Sequence, residues 1–335
     1  MPNGRIKKRS NMRDVAQKAG VSIATVSRVL SGTHNVAPET RRAVEQAIAD
    51  LNFVPSAAAR SINSGRTHMV GALVPTLDYA IFARFLDTLE LELAKAGLSL
   101  VVATTKNDPD QEAKRAGDLL NLGVEGLVVS GITRSAEFEA LVTRHALPVV
   151  ATSYFDPESD LPTIGYDNAA VARVAFAHLA DLGHREIAVL SGPARNNDRT
   201  RTRVNTLRAR DDARISFHET ELNHSAAGDQ TEQILAQRPN VTAILCMSDV
   251  LAQGALFRLQ TLGIAVPDQL SLMGVDDLQS SACTYPPLTS VHLPVEEMGH
   301  KTATAMARWV AQGIPAKHEK LPSSISIRRS TQRLG

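Results

Sequence analysis

From residue 68 onward, short apolar runs alternate with amphipathic stretches, and that alternation leaves few folds open. The runs are Met69–Val74, then 98–103, 126–129 and 148–151. A second set covers 186–190, 243–246 and 270–274, with 215–222 as a weaker member. Helical periodicity falls between them at 84–96, 111–122, 169–182 and 250–262. Repeated βαβ units of this length predict parallel, doubly wound sheets. Two sets of four or five strands predict two lobes flanking one cleft, and such sheets bind ligands beyond the carboxyl ends of their strands.

The first 67 residues read differently. They hold eleven Lys/Arg against four Asp/Glu, a charge of +7, while the remainder of the 335-residue chain carries −6. A small basic head on a larger acidic body suits contact with a polyanion. Within it, Asn11 can cap a helix running to about Lys18, with Asp14 in the first turn. Gly20 permits the positive φ of a tight turn. Ser22 caps a second helix with Val26, Val29 and Leu30 inward, and a third starts near Pro38. This predicts an all-α helix-turn-helix head. The second helix turns Ile23, Ala24, Thr25, Ser27 and Arg28 outward. Hydroxyls suit phosphate oxygens, arginine forks onto guanine, and Ile and Ala suit thymine methyl groups. The alternative reading is a three-helix mini-domain that binds nothing.

After Pro55, Ser56 can cap a helix of about two turns, too short to be stable alone. A flexible linker is the alternative.

The phrases Arg13-Asp-Val-Ala, Ala19-Gly-Val-Ser, Thr25-Val-Ser-Arg and Leu51-Asn-Phe-Val-Pro55 resemble the DNA-binding head of the lac repressor (LacI/GalR) family of bacterial transcription regulators. Further matches are Ile164-Gly-Tyr-Asp-Asn168, Met273-Gly-Val-Asp-Asp277 and Tyr285-Pro-Pro-Leu-Thr-Ser-Val291, so the resemblance covers nearly the whole chain. It implies that Ile23, Ala24 and Arg28 read bases. It makes 55–67 a hinge helix that folds when two copies meet in the minor groove, with Arg60 in the motif and Ile62 as the apolar wedge, where the family usually has leucine. It implies a body of two lobes, periplasmic-binding-protein-like, crossed three times by the chain near 154–166, 287–293 and 320–325. The expected domains are a head at 1–54, the hinge at 55–67 and an effector-binding and dimerisation body at 68–335. The first lobe would take about 68–163 and 292–320, the second about 164–291 and 321–335.

Candidate cleft residues follow strand ends. Asp276 can accept from vicinal hydroxyls, although a helix cap is its alternative, and Asp277 reads more readily as the cap. Arg203, at the opening of a helix, matches the family's effector-binding arginine; its fork suits a carboxylate or paired hydroxyls. Arg199, Arg201 and Arg203 lie two apart and cannot all face the cleft from one helix. Tyr166 matches an aromatic at the lobe crossing, apt for stacking on a ring. Ser248 stands where the family commonly has asparagine before Asp249, itself read as a cap, and Ser153 where some sugar-binding relatives have aspartate. Lys106, Asn107 and Asn223 are further candidates, with Tyr79 and Phe82 as an apolar wall. A cleft short of acidic acceptors and edged with basic groups suits a sugar acid, as does the likeness of Asn197-Asp-Arg-Thr200 to gluconate-type members. A neutral sugar or nucleoside stays open.

No phosphate loop, HExxH, GxSxG elbow or dinucleotide fingerprint occurs, so the chain reads as not an enzyme and as needing no cofactor. Two cysteines give no disulfide framework and point to a reducing cytoplasm. No apolar run reaches the about 18 residues of a membrane span, and the charged start has no apolar stretch behind it as a secretory signal would. The end at 327–335 has no heptads, so a homodimer is expected. The sequence therefore predicts a repressor of near-palindromic operator DNA, controlled by a small effector. A solute-binding protein of the same fold without DNA function is the alternative.

Overall fold

The computed structural model describes residues 10–30, 36–53, 66–211 and 213–334. The chain forms two compact units, Met1–His68 and Met69–Gly335. Arg60 and Ile62 lie outside the described residues.

The first unit holds α1 (Met12–Ala19), α2 (Ile23–Leu30) and α3 (Pro38–Asp50). Asn11 accepts from the amides of Arg13 at 2.8 Å and Asp14 at 3.2 Å, and Asp14 Oδ2 accepts from the Asn11 amide at 2.8 Å. This reciprocal cap fixes the helix start. Gly20, at φ +66°, closes α1 and turns the chain. Ser22 Oγ accepts from the Thr25 amide at 3.1 Å and so caps α2. Val15, Val26 and Val44, one from each helix, are fully buried against one another.

The second unit runs β1 (Met69–Val74), α4 (Ala80–Lys95), β2 (Ser99–Thr104), α5 (Pro109–Leu122), β3 (Gly126–Ser130), α6 (Ala136–His145), β4 (Val149–Thr152) and β5 (Thr163–Gly165). It continues with α7 (Asn168–Asp181), β6 (Glu186–Ser191), α8 (Asp198–Arg208), β7 (Arg214–Glu219), α9 (His224–Gln237), β8 (Ala243–Cys246), α10 (Asp249–Thr261), β9 (Ser271–Asp276) and α11 (Gln279–Ala282). The last elements are β10 (Thr289–His292), α12 (Val295–Gln312), β11 (Glu319–Lys320) and β12 (Ser324–Ser326).

These strands form two six-stranded sheets, ordered β11-β5-β4-β3-β1-β2 and β12-β10-β9-β8-β6-β7. Every pairing is parallel except β10 with β12. Helices cover both faces, which explains the near-continuous apolar runs of the central strands. In the first lobe Leu89, Leu93 and Met306 pack on one face, and Leu119 and Phe138 on the other. In the second, Phe176 and Leu207 face Ile234 and Leu256 across the sheet.

β10 pairs with β9 in the second sheet, and the chain re-enters the first lobe after His292, inside the crossing placed at 287–293. One detail differs from the sequence reading. Arg203 does not open α8 but is its sixth residue. The Asn197 side chain accepts from the Thr200 amide and starts the helix earlier.

Candidate functional site: the cleft and the head

Between the carboxyl ends of the two sheets lies a cavity of about 640 Å³ counting its mouth. Seven sequence-predicted residues line it: Tyr79, Phe82, Ser153, Tyr166, Arg203, Ser248 and Asp276. The other three do not reach it. Lys106, Asn107 and Asn223 border a wider outer mouth. Asn223 is spent locally: its Oδ1 caps α9 through the Ala226 amide at 2.8 Å, and its Nδ2 donates to Glu221. Asn107 Oδ1 accepts from Arg199 at 2.9 Å.

Arg203 is the cleft's central cation and is 5% exposed. Its Nε donates to Asn168 Oδ1 at 2.9 Å and its Nη1 to the Met247 carbonyl at 3.0 Å, both neutral acceptors. Asn168 Nδ2 in turn donates to the Ser153 carbonyl at 3.1 Å. The guanidinium is thus hydrogen-bonded to neutral groups, and the Asp276 carboxyl is the acidic group close enough to feel its charge.

Asp276 ends β9 at φ +120°, a backbone region costly for any side chain. Burial, and then the neighbouring Asp249 carboxylate, push its pKa up, against the pull of Arg203. Asp249 is also pushed up by burial, while the Ser281 and Ser290 hydroxyls, each at 2.6 Å, and the Leu278 amide stabilise its charged form. Tyr166 is buried, which raises its phenol pKa.

Two expected caps are corrected. Asp249 does not cap α10; Ser248 does, accepting from the Leu251 amide at 3.3 Å. Asp277 does not cap α11 but gathers the crossing segments: it accepts from Arg328 at 2.6 Å and Ser326 at 2.9 Å and faces His292 Nδ1 at 3.1 Å.

The sequence reading missed Arg199, Thr200 and Asn197 as lining residues, together with an apolar floor that includes Phe85, Met247 and Met298. Arg199 stands four residues before Arg203, on the same helical face. That spacing was the available signal. Arg201 points away, donating to the Ala194 and Arg195 carbonyls.

In the head, Ser22, Ile23, Ala24 and Arg28 are exposed, and Thr25 and Ser27 are half-buried. Ile23 is 43% exposed, too open for a packing residue. Among the described residues, no group of three His, Cys, Asp or Glu could hold a metal ion, and no helix is long and apolar enough to cross a membrane.

A capped helix-turn-helix head and a two-lobed body with a polar cleft define a ligand-responsive DNA-binding regulator. Residues 11–56 match the lacI family of bacterial regulatory proteins, and residues 176–331 a periplasmic binding protein-like domain. The HTH-type transcriptional repressor PurR of Shigella sonnei (strain Ss046) is 30% identical over 325 residues, spanning 95% of this chain and 94% of its own. That of Klebsiella pneumoniae (strain 342) is 31% identical over 300 residues, 87% of each. Among solved structures, the lac repressor dimer bound to operator and the anti-inducer ONPF superposes with a TM-score of 0.86 at 25% identity, over 97% of this chain and 100% of that one. A LacI-family regulator from Silicibacter pomeroyi shares the fold, with a TM-score of 0.88 at 23% identity over 97% of this chain and 100% of its own. The chain belongs to the lacI family of bacterial regulatory proteins. It is a DNA-binding transcription regulator, and the solute-binding alternative without DNA function is set aside.

Proposed function

We propose that the protein is a cytoplasmic, homodimeric repressor whose operator affinity is set by a sugar acid bound in the cleft. The PurR relatives are repressors rather than enzymes, and the protein performs no turnover. Two heads bind a near-palindromic operator, each placing α2 in the major groove. Ile23, Ala24 and Arg28 read base edges, while Ser22, Thr25 and Ser27 hold phosphates. Residues 55–67 act as the hinge, with Arg60 and Ile62 in the central minor groove. The effector changes the angle between lobes and thereby the hinge. Such coupling is typically about 1–3 kcal/mol and reciprocal between DNA and ligand.

The observation that carries the effector class is Arg203: a buried guanidinium in the cleft wall, bonded to neutral oxygens only. A carboxylate compensates that charge. Tyr166 and the apolar floor accept a sugar's ring face or carbon chain, and Ser153, Thr200, Ser248 and Asp276 serve its hydroxyls. Asn107, Lys106 and Asn223 border the entry route.

A thermal-shift screen of the full chain against aldonates, uronates, neutral sugars and nucleosides tests this. Binding at a hundredfold excess over Kd adds about 2.7 kcal/mol of apparent stability. The expected hit is an aldonate or uronate, lost in Arg203→Ala. A response confined to neutral sugars or nucleosides contradicts the sugar-acid reading.

A further inference from the structure

The start of α8 meets the first lobe in a dense set of charged contacts outside the effector cavity's floor. Asp198, the first residue of α8, belongs to the second lobe. Its Oδ2 accepts from two successive first-lobe amides, Ile132 at 2.5 Å and Thr133 at 2.8 Å. Gly131 makes this approach possible: at φ +77°, it lies where a Cβ would collide with Asp198 and Arg199. Arg199 Nη2 reaches Asn107 Oδ1 at 2.9 Å, and Arg201 Nη2 reaches Thr133 Oγ1 at 3.1 Å. Beneath the loop, Arg134 pairs with Glu112 at 3.2 Å and donates to the Thr133 carbonyl at 2.7 Å and the Gly131 carbonyl at 2.5 Å.

A small cavity opens among these groups, lined by Ser130, Thr133, Arg134, Glu112, Asp198 and Arg199. Three buried polar atoms on its walls make no hydrogen bond among the described residues: Ser130 Oγ, Arg134 Nε and Asp198 Oδ1. They are a hydroxyl, a donor and an acceptor. A water both donates and accepts and so suits this set, accepting from Arg134 and donating to Asp198, whose Oδ1 also lies 3.4 Å from Arg199 Nη1, with Ser130 in either role. The space suits a single water. An anion would meet the Asp198 carboxylate, and a cation would meet Arg134 and Arg199. The neutral ligand fits the balance.

We propose that this cavity binds one ordered water and that Asp198, with that water, forms a latch holding the two lobes together without any effector. Because α8 also carries Arg199 and Arg203, the latch sets the position of both cleft arginines. It operates whatever the effector is, so its failure and that of the sugar-acid reading are distinguishable.

The test uses the full chain with no added ligand. Amide hydrogen exchange is followed at Ile132 and Thr133, with Ala170, whose amide donates to Asp167 at 2.9 Å, as the internal control. The latch predicts protected Ile132 and Thr133 amides, and a loss of protection of about tenfold to a hundredfold in Asp198→Ala, with Ala170 unchanged. Asp198→Asn keeps the side-chain shape and gives a smaller loss, which serves if the alanine variant does not fold. A high-resolution crystal structure of the same protein should show a water within hydrogen-bond reach of Ser130 Oγ, Arg134 Nε and Asp198 Oδ1. Unprotected amides in the parent, protection unchanged by either substitution, or an ion in place of the water overturns the proposal.

Discussion

Arg203 donates through Nε to the Asn168 amide oxygen at 2.9 Å, joining α8 to the first residue of α7 beneath the cleft. The same asparagine donates to the Ser153 carbonyl at the end of β4, so one side chain links both lobes through the arginine that faces the ligand space. Asn168→Asp keeps the shape and places a carboxylate against Arg203. Calorimetric titration with the aldonate or uronate that stabilises the parent should show affinity weakened by about tenfold or more, each factor of ten being about 1.4 kcal/mol. Unchanged affinity would show that the charge of Arg203 does not select the ligand.

The buried Glu112 gives stability a distinctive pH slope. Burial pushes its pKa up to about 7, against the pull of Arg134. The folded state therefore holds a proton that the unfolded chain has already released above its ordinary value. Between about 4.5 and 7 this contribution to stability is lost as pH rises, up to about 3 kcal/mol in all. Denaturation profiles of Glu112→Gln should lack that component, and the variant should gain on the parent between pH 5 and 8. A parallel profile for the two would show that Glu112 is ionised throughout.

Asp198 carries the opposite sign. Burial alone would raise its pKa, but Arg199 and the two backbone amides hold it below the usual carboxylate range. Its stabilisation is present above the unfolded value and is lost as pH falls toward the folded one. Asp198→Asn should flatten the acid limb of the denaturation profile, and an acid limb equal to the parent's would contradict this.

In the head, Asn11→Ala removes one half of a reciprocal cap and should lower stability by about 1 kcal/mol. DNA binding should weaken while the effector's own affinity for the free protein stays as it was. An altered effector affinity in the absence of DNA would place Asn11 in a different role.

Much of this was legible in the sequence because each feature has a local cause. The Asn11 cap, the Gly20 turn and the Pro38 helix start follow from residue chemistry within four positions, and all three appear. The central strands followed from unbroken apolar runs, as in Met69–Val74 and Ala243–Cys246. What escaped was set by distant partners. β10 (Thr289–His292) is only four residues long, and its place in the second sheet depends on β9 and β12. Asp277 looked like a cap because an aspartate after a strand commonly caps the next helix; its partners come from residues 292, 326 and 328. Asn223 looked like a cleft residue because it follows a strand, yet its own helix takes the side chain. Asp198 lies in a motif the sequence offered, but its first-lobe partners are 65 and 66 positions away.

The base-reading assignment of α2 has its own test. Arg28→Ala should relax preference at one base pair of each half-site and cost about 1–3 kcal/mol on the preferred sequence. Equal weakening on every operator variant would make Arg28 a phosphate contact instead.

Effector-responsive, sequence-specific DNA binding can be read in one titration. A duplex selected from a random library by the full chain is bound across a salt series, with a scrambled duplex beside it. The protein should strongly prefer the selected duplex, with affinity falling steeply as salt rises, by about 0.9 in log–log slope per neutralised phosphate. That affinity should also shift when the effector that stabilises the body is added. Equal affinity for both duplexes, or binding indifferent to salt and to effector, would contradict this.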